Sequence, residues 1–343
     1  MTLRTGVIGY GFSAKVFHLP FLEAMNQFEF SAISTSKAPD SYLTDRNITV
    51  YSSADRLIDD SDVELVIITA PNDSHFRLAE RCLNNNKHVI VEKPFVITSD
   101  QGAKLTALAK AKNLKLSVYQ NRRWDGDFLT LQNLIQTGAC GDIKYFESHF
   151  DRFRPLVQDR WREKPVEGGG ILYDLGPHLI DQVMVLFGTP QAITARCLNL
   201  RENAEVTDYF HIQLHYQGLE VVLQASPYSA GPNLRFQLQG TKGSYVKYGL
   251  DPQEDRIKAG KLPVTPEWSQ ETPDAFGTLY HSETQSPVPT LPGGYQIFYE
   301  KMYHAIRNNQ PVPVDPEQNT VVIKLIELAL ESSHRGQTLI FEI

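Results

Sequence analysis

Short apolar runs alternate with helix-like segments over the first 120 residues, and this alternation limits the possible folds more than any other feature. The run at 63–69, Val-Glu-Leu-Val-Ile-Ile-Thr, is almost unbroken, which is typical of a strand buried on both faces of a parallel sheet. The predicted strands are 3–9, 28–35, 63–69, 88–92 and 115–119, and the predicted helices are 13–26, 54–59, 74–85 and 100–112. Pro20 is expected to kink or restart the first helix. The order predicts a doubly wound parallel sheet with right-handed crossovers.

After residue 120 apolar and polar residues alternate with a period of two, which is typical of strands with one buried face. These runs predict a large open, mostly antiparallel sheet. They are residues 144–153, 192–200, 209–216, 219–226, 234–239 and 244–248, with a last strand at 338–343 and helices at 128–136, 169–187, 295–308 and 318–333. Seven prolines and no periodicity between 251 and 292 predict an extended loop or lid. The expected fold class is α/β, with a doubly wound domain at 1–120 and an α+β domain at 121–343.

Charge and composition exclude several partners. The formal net charge of -7 argues against nucleic acid and anionic membranes, which need a basic face. No apolar run approaches the ~18 residues of a membrane span, and Met1–Thr5 leads straight into a strand without a signal-like core. Cys82, Cys140 and Cys197 are too widely spaced for a disulfide framework or a zinc motif. We therefore expect a cytoplasmic protein with free thiols that binds a small molecule.

The sequence Gly-Tyr-Gly-Phe-Ser-Ala at 9–14 follows the first predicted strand and opens the first predicted helix. In that context Gly9 permits a tight turn, Gly11 lets the backbone approach a pyrophosphate, and Ala14 allows close packing. The N–H groups of the helix terminus face the phosphates. The expected contacts are Gly9, Gly11, Phe12 and Ser13. The turn therefore predicts a dinucleotide site, and the alternative is a glycine turn of an unrelated α/β fold.

The end of the second predicted strand bears on the choice of cofactor. An NAD site usually has an acid there for the ribose 2′-hydroxyl, but the residues are Ser34, Thr35, Ser36 and Lys37. Glu29 stands at the start of the strand, and Asp40 lies beyond the turn. Hydroxyl groups and a lysine suit a 2′-phosphate, so NADP(H) is predicted over NAD(H). The alternative is that Lys37 is a solvated surface lysine.

Two further polar clusters follow predicted strands, at the edge where ligands of open α/β sheets collect. Pro71, Asn72 and His75 follow the strand at 63–69, and we expect them to line the cofactor site. Glu92 and Lys93, followed by Pro94, end the strand at 88–92. Lys93 is predicted to hydrogen-bond the reacting oxygen and stabilise its charge, with a solvated lysine as the alternative. The bond before Pro94 is a candidate cis peptide.

Asp174, His178 and Asp181 stand at i, i+4 and i+7 of the helix predicted at 169–187, so they share one face. His178 is predicted to exchange the proton of a reacting hydroxyl. Asp174 is predicted to orient His178 or bind the substrate, and Asp181 either joins the site or bonds inside the protein. Metal binding by Asp174 and His178 is the competing hypothesis. No further ligand set is evident, so no metal is predicted.

These motifs together resemble the glucose–fructose oxidoreductase, inositol dehydrogenase and rhizopine-catabolism family, Gfo/Idh/MocA. The resemblance covers essentially the whole chain, and its specific parts are Glu92-Lys93-Pro94 and the Asp-x-Gly-x-His sequence at 174–178. It implies an N-terminal Rossmann domain that binds NAD(P) and a C-terminal α/β domain for substrate and oligomer contacts. It also implies that Lys93, Asp174 and His178 are catalytic and contact the substrate, and that the chain forms homodimers or homotetramers through the C-terminal sheet.

The segment at 119–127 looks like the branch of NADP-dependent scyllo-inositol dehydrogenases. By analogy Asn121 and Arg122 line the cleft near nicotinamide and substrate. Trp161 and Arg162 resemble a segment that reaches the nicotinamide, although an arginine-rich stretch can equally form surface ion pairs. The prediction is an NADP(H)-dependent oxidoreductase acting on a secondary alcohol or ketone of a sugar or cyclic polyol.

Other functions remain open at this point. A nucleotide-sensing regulator on the same fold would not need Lys93, Asp174 and His178 together. A methyltransferase would want an acid after the second strand, where Ile33–Lys37 has none. Within enzymes, the alternative is a reductase of another sugar or an aldehyde.

Overall fold

The structure is a computed structural model that describes residues 2–263 and 265–342. The chain divides into two compact units. The first unit contains Met1–Asn121, Gln253–Trp268 and Gly294–Thr320, and the second contains Arg122–Pro252, Ser269–Gly293 and Val321–Ile343. Met1, Val264 and Ile343 lie outside the described residues, so predictions that include them are compared only over the rest.

Within the described residues, the first unit is built on six parallel strands. They are β1 (Leu3–Ile8), β2 (Phe28–Ser34), β3 (Thr49–Tyr51), β4 (Leu65–Ile68), β5 (His88–Val91) and β6 (Leu116–Val118). Their order, β3-β2-β1-β4-β5-β6, is that of a dinucleotide-binding doubly wound sheet, so the predicted fold class is confirmed. All four residues of β4 are fully buried, as the unbroken apolar run predicts. Strand β3 was not predicted, because three residues at a sheet edge leave little pattern to detect.

Helices connect these strands. They are α1 (Leu19–Ala24), α2 (Ser41–Thr44), α3 (Ala54–Asp60), α4 (His75–Asn84) and α5 (Ser99–Ala111). A π-helix, Ala14–His18, precedes α1, and Pro20 lies in the first turn of α1. The interruption expected at Pro20 is therefore confirmed, since proline cannot donate the hydrogen bond that a continuous α-helix needs there.

The second sheet has nine strands within the described residues, and all neighbouring pairs except β7 and β10 are antiparallel. The strands are β7 (Ile143–His149), β8 (Ala192–Leu198), β9 (Tyr209–Tyr216), β10 (Leu219–Ala225), β11 (Leu234–Gly240), β12 (Ser244–Tyr248), β13 (Gly277–Tyr280), β14 (Gln285–Val288) and β15 (Leu339–Ile340). Their order is β14-β13-β12-β11-β7-β10-β9-β8-β15. The mostly antiparallel sheet is confirmed.

The remaining helices are α6 (Gly126–Gln136), α7 (Gly170–Phe187), α8 (Gln253–Lys258), α9 (Gln296–Asn308) and α10 (Pro316–Arg335). Helix α7 packs on β9 and β10. Along these strands the alternation separates two faces: Ile212 and Leu223 are fully buried, whereas Gln213 and Gln224 are only half-buried. The sheet therefore has one apolar face against helices and one polar face.

The loop or lid predicted at 251–292 is wrong for part of that segment. It contains α8 and the strands β13 and β14, which form an antiparallel hairpin at one edge of the second sheet. Pro287 lies in β14, the edge strand, where the missing N–H need not leave a gap in the ladder. The prolines predicted irregular structure throughout the segment, whereas Pro287 lies in a strand at the sheet edge.

None of the helices formed by the described residues combines the length and the apolar character needed to cross a membrane.

Candidate active site

The glycine turn after β1 has the geometry that a dinucleotide requires. Gly9 has φ +99°, and a side chain there would place a Cβ 2.7 Å from the Thr69 hydroxyl oxygen. At Gly11 a Cβ would meet no atom within 4 Å, and the residue is exposed. The backbone of Gly11 is therefore open to an approaching phosphate, and the residues present fit a pyrophosphate. Of the neighbouring predicted contacts, Phe12 is exposed and Ser13 is half-buried and hydrogen-bonds Glu92.

At the end of β2 the structure places Ser34 in the interior and leaves Ser36 and Lys37 exposed. The half-buried Thr35 accepts a hydrogen bond from the Lys37 N–H at 3.1 Å. The turn after β2 therefore leaves Ser36 and Lys37 adjacent and exposed.

Asp40 was not predicted to take part, yet it lies against the glycine turn. The Tyr10 hydroxyl donates to its carboxylate at 2.9 Å, and Lys15 Nζ is 3.4 Å away. Asp40 also caps α2 by accepting from the Leu43 N–H. Its carboxylate therefore contacts the glycine turn, the π-helix and α2, and the side chain remains 45% exposed.

The residues after β4 are tied to the loop that follows β5. His75 is fully buried; its Nδ1 is 2.8 Å from the Pro94 carbonyl oxygen and its Nε2 is 3.0 Å from that of Ala70. Burial lowers the pKa of His75, although the two carbonyl acceptors act in the opposite direction. Asn72 is buried and Pro71 is exposed. The Lys93–Pro94 bond is cis, as the sequence reading suggested.

Glu92 is nearly fully buried and accepts three hydrogen bonds. They come from His18 Nε2 at 2.9 Å, from the Ser13 hydroxyl, and from the Lys93 N–H at 3.0 Å. Although burial alone would raise it, these donors hold the pKa of Glu92 below its usual value. The half-buried Lys93 thus follows an ionised, immobilised carboxylate.

In the second unit, α7 carries the predicted helix-face set. Gly170 has φ +85°, and a Cβ there would lie 2.7 Å from the Thr207 carbonyl oxygen, so the helix starts in close contact with that segment. Asp174 is partly exposed, and its Oδ1 is 3.8 Å from Arg162 Nε. His178, one turn later, is buried. The i, i+4 and i+7 spacing on one helix is confirmed.

Asp181 has a structural partner. The Arg123 guanidinium donates to both of its carboxylate oxygens, at 2.8 and 2.7 Å, and Asp181 is almost fully buried. A bidentate buried pair fixes both side chains. This geometry favours the interpretation that Asp181 bonds inside the protein.

Asn121 and Arg122 begin a short 3₁₀ helix, Asn121–Trp124, and both are buried. Arg122 Nη1 is 3.3 Å from Asp125 Oδ2, and its guanidinium lies 4.8 Å from the centre of the Phe150 ring. Gln182 of α7 donates to the Arg122 carbonyl oxygen at 2.9 Å. The α7 helix therefore holds the main chain at Arg122.

The arginine-rich stretch before α7 forms one surface ion pair and places a second arginine beside an aromatic ring. Arg160 pairs with Glu163 at 2.6 Å, which is the surface ion pair offered as the alternative. Arg162 instead stacks over Trp161, at 5.1 Å from the ring centre, and approaches Asp174. Trp161 is 38% exposed, so an apolar ring and a cation are presented together. Among residues 2–263 and 265–342, no group of three or more His, Cys, Asp or Glu side chains is arranged to hold a metal ion.

Two family models match nearly the entire chain. "Oxidoreductase family, NAD-binding Rossmann fold" matches residues 3–120, and "Oxidoreductase family, C-terminal alpha/beta domain" matches residues 132–340. The chain belongs to the Gfo/Idh/MocA oxidoreductase family. It is therefore an enzyme with an NAD(P)-binding Rossmann domain.

Relatives of this Gfo/Idh/MocA chain align along almost their full length. The oxidoreductase YdgJ of Escherichia coli K12 is 42% identical over 98% of both chains. The scyllo-inositol 2-dehydrogenase (NADP(+)) IolW of Bacillus subtilis 168 is 39% identical over 99% of this chain and 96% of its own. Among solved structures, the oxidoreductase yvaA of Bacillus subtilis superposes with a TM-score of 0.95 at 38% identity, covering 99% of each chain.

Sequence reasoning missed two residues that this Gfo/Idh/MocA fold places beside the glycine turn. Asp40 contacts Tyr10 across 30 positions, and His18 contacts Glu92 across 74. The signal available for His18 was its place two residues before Pro20, because a proline there predicts an irregular turn. Asp40 stood beyond the turn and had no such signal.

Proposed function

We propose that this enzyme is an NADP(H)-dependent dehydrogenase that moves a hydride between nicotinamide and a secondary alcohol or ketone of a cyclic polyol or sugar, of the scyllo-inositol kind. The proposal rests on two observations. The glycine turn is open at Gly11, and the Lys93 main-chain N–H is hydrogen-bonded to the ionised Glu92 carboxylate. The 39% identity to an enzyme named as an NADP(+)-dependent scyllo-inositol 2-dehydrogenase supports the substrate class.

The preference for NADP(H) is supported by how the acids near the turn are used. Asp40 lies beyond the turn that follows β2, and its carboxylate contacts Tyr10, Lys15 and the α2 N-terminus. Lys37 is exposed beside Ser36, where a cation would meet a 2′-phosphate. An anionic phosphate gains from a lysine, whereas a ribose hydroxyl would gain from a free carboxylate.

The chemistry follows from the residue types. The bound nicotinamide supplies or accepts the hydride. His178 exchanges the proton of the substrate hydroxyl through an imidazole nitrogen, since histidine titrates near neutral pH. Lys93 donates a hydrogen bond from Nζ to the reacting oxygen and stabilises its developing charge. Asp174 orients His178 or binds a neighbouring hydroxyl.

The other predicted contacts complete the proposal. Asn121 and Arg122 would bind substrate hydroxyl groups, and Trp161 and Arg162 would contact the nicotinamide end of the cofactor. We also propose a homodimer or homotetramer formed through the polar face of the nine-stranded sheet, and a cytoplasmic location. No nucleic acid or membrane partner is proposed.

The test has two steps. Purified protein is titrated with NADPH and with NADH by fluorescence, and inositols and aldoses are then scanned for NADP⁺ reduction at about 340 nm, the absorbance of the reduced nicotinamide. Tighter NADPH binding with turnover on an inositol supports the proposal. Equal catalytic efficiency with both cofactors would remove the NADP(H) preference. Turnover on an aldose alone would identify the substrate as a sugar other than an inositol. NADPH binding without turnover on any polyol would reject the proposed substrate class.

A further inference from the structure

His18 is a titratable group that the proposed chemistry does not use. Its side chain is fully buried, and both ring nitrogens have hydrogen-bond partners. It is the last residue of the π-helix Ala14–His18, the helix that the dinucleotide turn opens. A polar ring buried this completely at a cofactor-binding helix needs a physical reason.

Pro20 supplies the reason for the local backbone. Proline has no N–H, and its ring would clash with the carbonyl four residues earlier in a regular helix. Here the Leu19 N–H instead bonds to the Ala14 carbonyl oxygen, five residues back, which widens the turn. Such π-turns are frequent at functional sites. The widened turn is where His18 enters the interior.

The hydrogen-bond partners determine which ring nitrogen carries a proton. Glu92 is ionised and can only accept, so His18 Nε2 donates to its Oε1 at 2.9 Å. On the other side Nδ1 is 2.7 Å from the Tyr299 hydroxyl. The neutral ring accepts there from Tyr299. A charged ring would donate to Tyr299, which can donate in turn to the Phe17 carbonyl oxygen at 3.1 Å. Every polar group is satisfied in both states.

Glu92 transmits this constraint to two parts of the candidate site. The carboxylate oxygen that His18 contacts, Oε1, also accepts from the Ser13 hydroxyl. Its other oxygen, Oε2, accepts from the Lys93 N–H at 3.0 Å. The His18 ring also packs against Tyr119, with 4.5 Å between ring centres. One buried imidazole therefore supports both the glycine-turn helix and the main chain at Lys93.

We propose that His18 is a positioning residue for hydride transfer, an inference that rests on the proposed function. His18 holds the Glu92 carboxylate in one orientation. That carboxylate fixes the main chain at Lys93 and the hydroxyl of Ser13. Because misplacing a catalytic group by about 1 Å costs about 100-fold in rate, loss of His18 lowers kcat far more than it weakens cofactor binding.

The first experiment compares His18→Leu with His18→Gln. His18→Leu removes both hydrogen bonds, and we expect kcat to fall about 100-fold while the Kd for NADPH changes less than about threefold. His18→Gln retains an amide N–H that can donate to Glu92, and we expect it to recover about tenfold of that loss. A His18→Leu enzyme with kcat within about twofold of wild type, or a glutamine variant no better than the leucine variant, overturns the proposal.

Tyr299→Phe and Tyr119→Phe form a matched pair that keeps every buried ring in place. Both hydroxyls lie within hydrogen-bonding distance of the Phe17 carbonyl oxygen, but the hydrogen bond to His18 Nδ1 is made by Tyr299. We expect kcat to fall in Tyr299→Phe and to fall less in Tyr119→Phe, whose hydroxyl reaches His18 only through Tyr299. Equal kcat in the two variants contradicts the proposal even where His18→Leu does not fold.

A readout without turnover separates this inference from the proposed function. In ¹⁵N-histidine NMR spectra, the signal absent in His18→Gln identifies His18. We expect NADPH to shift its Nε2 resonance, because the cofactor acts on Ser13 and Lys93, which share the Glu92 carboxylate. A shift without turnover on any polyol rejects the proposed substrate class and supports the role of His18. An unchanged signal at saturating NADPH overturns that role.

Discussion

The two sheets present chemical groups in different ways. In the six-stranded sheet, the candidate residues follow the carboxyl ends of parallel strands: the glycine turn after β1, Lys93 after β5 and Asn121 after β6. In the nine-stranded sheet, Asp174 and His178 project from α7, a helix that packs on β9 and β10. Parallel strands that are buried on both faces leave only their ends available for catalytic residues. A sheet with one apolar face is covered by a helix, and that helix can bear the catalytic residues.

The difference also affects what holds each group in place. Lys93 depends on main-chain hydrogen bonding to Glu92, and Glu92 depends on the distant His18. His178 depends on the geometry of one helix, which the buried Arg123–Asp181 pair ties to the adjoining segment. A turn is therefore positioned by side chains from elsewhere in the sequence, and a helix face is positioned mainly by its own backbone.

The largest expected effect tests whether both regions contribute to the reaction. Lys93→Ala and His178→Ala should each lower kcat by about 10²–10⁴-fold, because each removes a charge-stabilising or proton-transferring group. NADPH binding, measured by fluorescence, should persist in His178→Ala. Near-normal steady-state turnover in both variants would reject the catalytic assignment. Loss in one variant only would place the chemistry in a single region.

The next effect concerns the buried ion pair that anchors α7. Asp181→Ala leaves the Arg123 guanidinium without its carboxylate, and we expect the free energy of unfolding to fall by about 3–5 kcal/mol in urea denaturation. Asp55→Ala in the first unit is the control. Asp55 and its partners Arg77 and Arg81 are exposed, so its loss should cost less than about 1 kcal/mol. An equal loss in the free energy of unfolding in the two variants would show that burial does not make the Arg123–Asp181 ion pair more important than the exposed one.

Two histidines, one in each sheet, have pKa values shifted in opposite directions. His88 on β5 accepts from the Lys115 N–H at 3.0 Å, and burial lowers its pKa to about 4. His149 on β7 lies between Asp151 at 2.9 Å and Glu147 at 2.6 Å. Burial alone would lower the pKa of His149, but these two hydrogen bonds raise it to about 9. His88 therefore stabilises the fold above about pH 6.5, and this contribution is lost as the pH falls through 4. His149 stabilises it below about pH 6.5, and this contribution is lost as the pH rises through 9.

The measurement is the free energy of unfolding of wild type, His88→Gln and His149→Gln at several pH values. Each histidine should contribute about 2–4 kcal/mol within its own window, with opposite pH dependence. If the difference between wild type and His149→Gln were the same at pH 6 and pH 10, the raised pKa would be refuted.

The smallest expected effect concerns Lys37. Because this lysine is exposed, Lys37→Ala should raise the Kd for NADPH only about fivefold to tenfold and leave NADH binding unchanged. Lys104→Ala, which changes an exposed lysine on α5, is the matched control. Equal changes for NADPH and NADH would assign Lys37 to the solvated surface and weaken the NADP(H) preference.

Much of the fold could be predicted from the sequence, because the pattern of apolar residues along a segment indicates which of its faces are buried. The apolar run of β4 and the alternation of β9 each indicate which faces of a strand are covered. Strand β3 and the β13–β14 hairpin were not predicted, because short edge strands tolerate polar residues and proline. The spacing of Asp174, His178 and Asp181 was predictable, since a helix repeats every 3.6 residues whatever surrounds it.

The sequence by itself determined the parallel sheet, the glycine turn and the shared face of α7, all of which depend on neighbouring residues in the chain. The tertiary structure decided that Asp40 accepts a hydrogen bond from Tyr10 and that Asp181 accepts from Arg123. It also decided that His18 hydrogen-bonds both Glu92 and Tyr299. Such partners depend on which elements pack together and on which polar groups burial forces into pairs. His18 and Tyr299 are separated by 281 positions, and no local pattern extends across that distance.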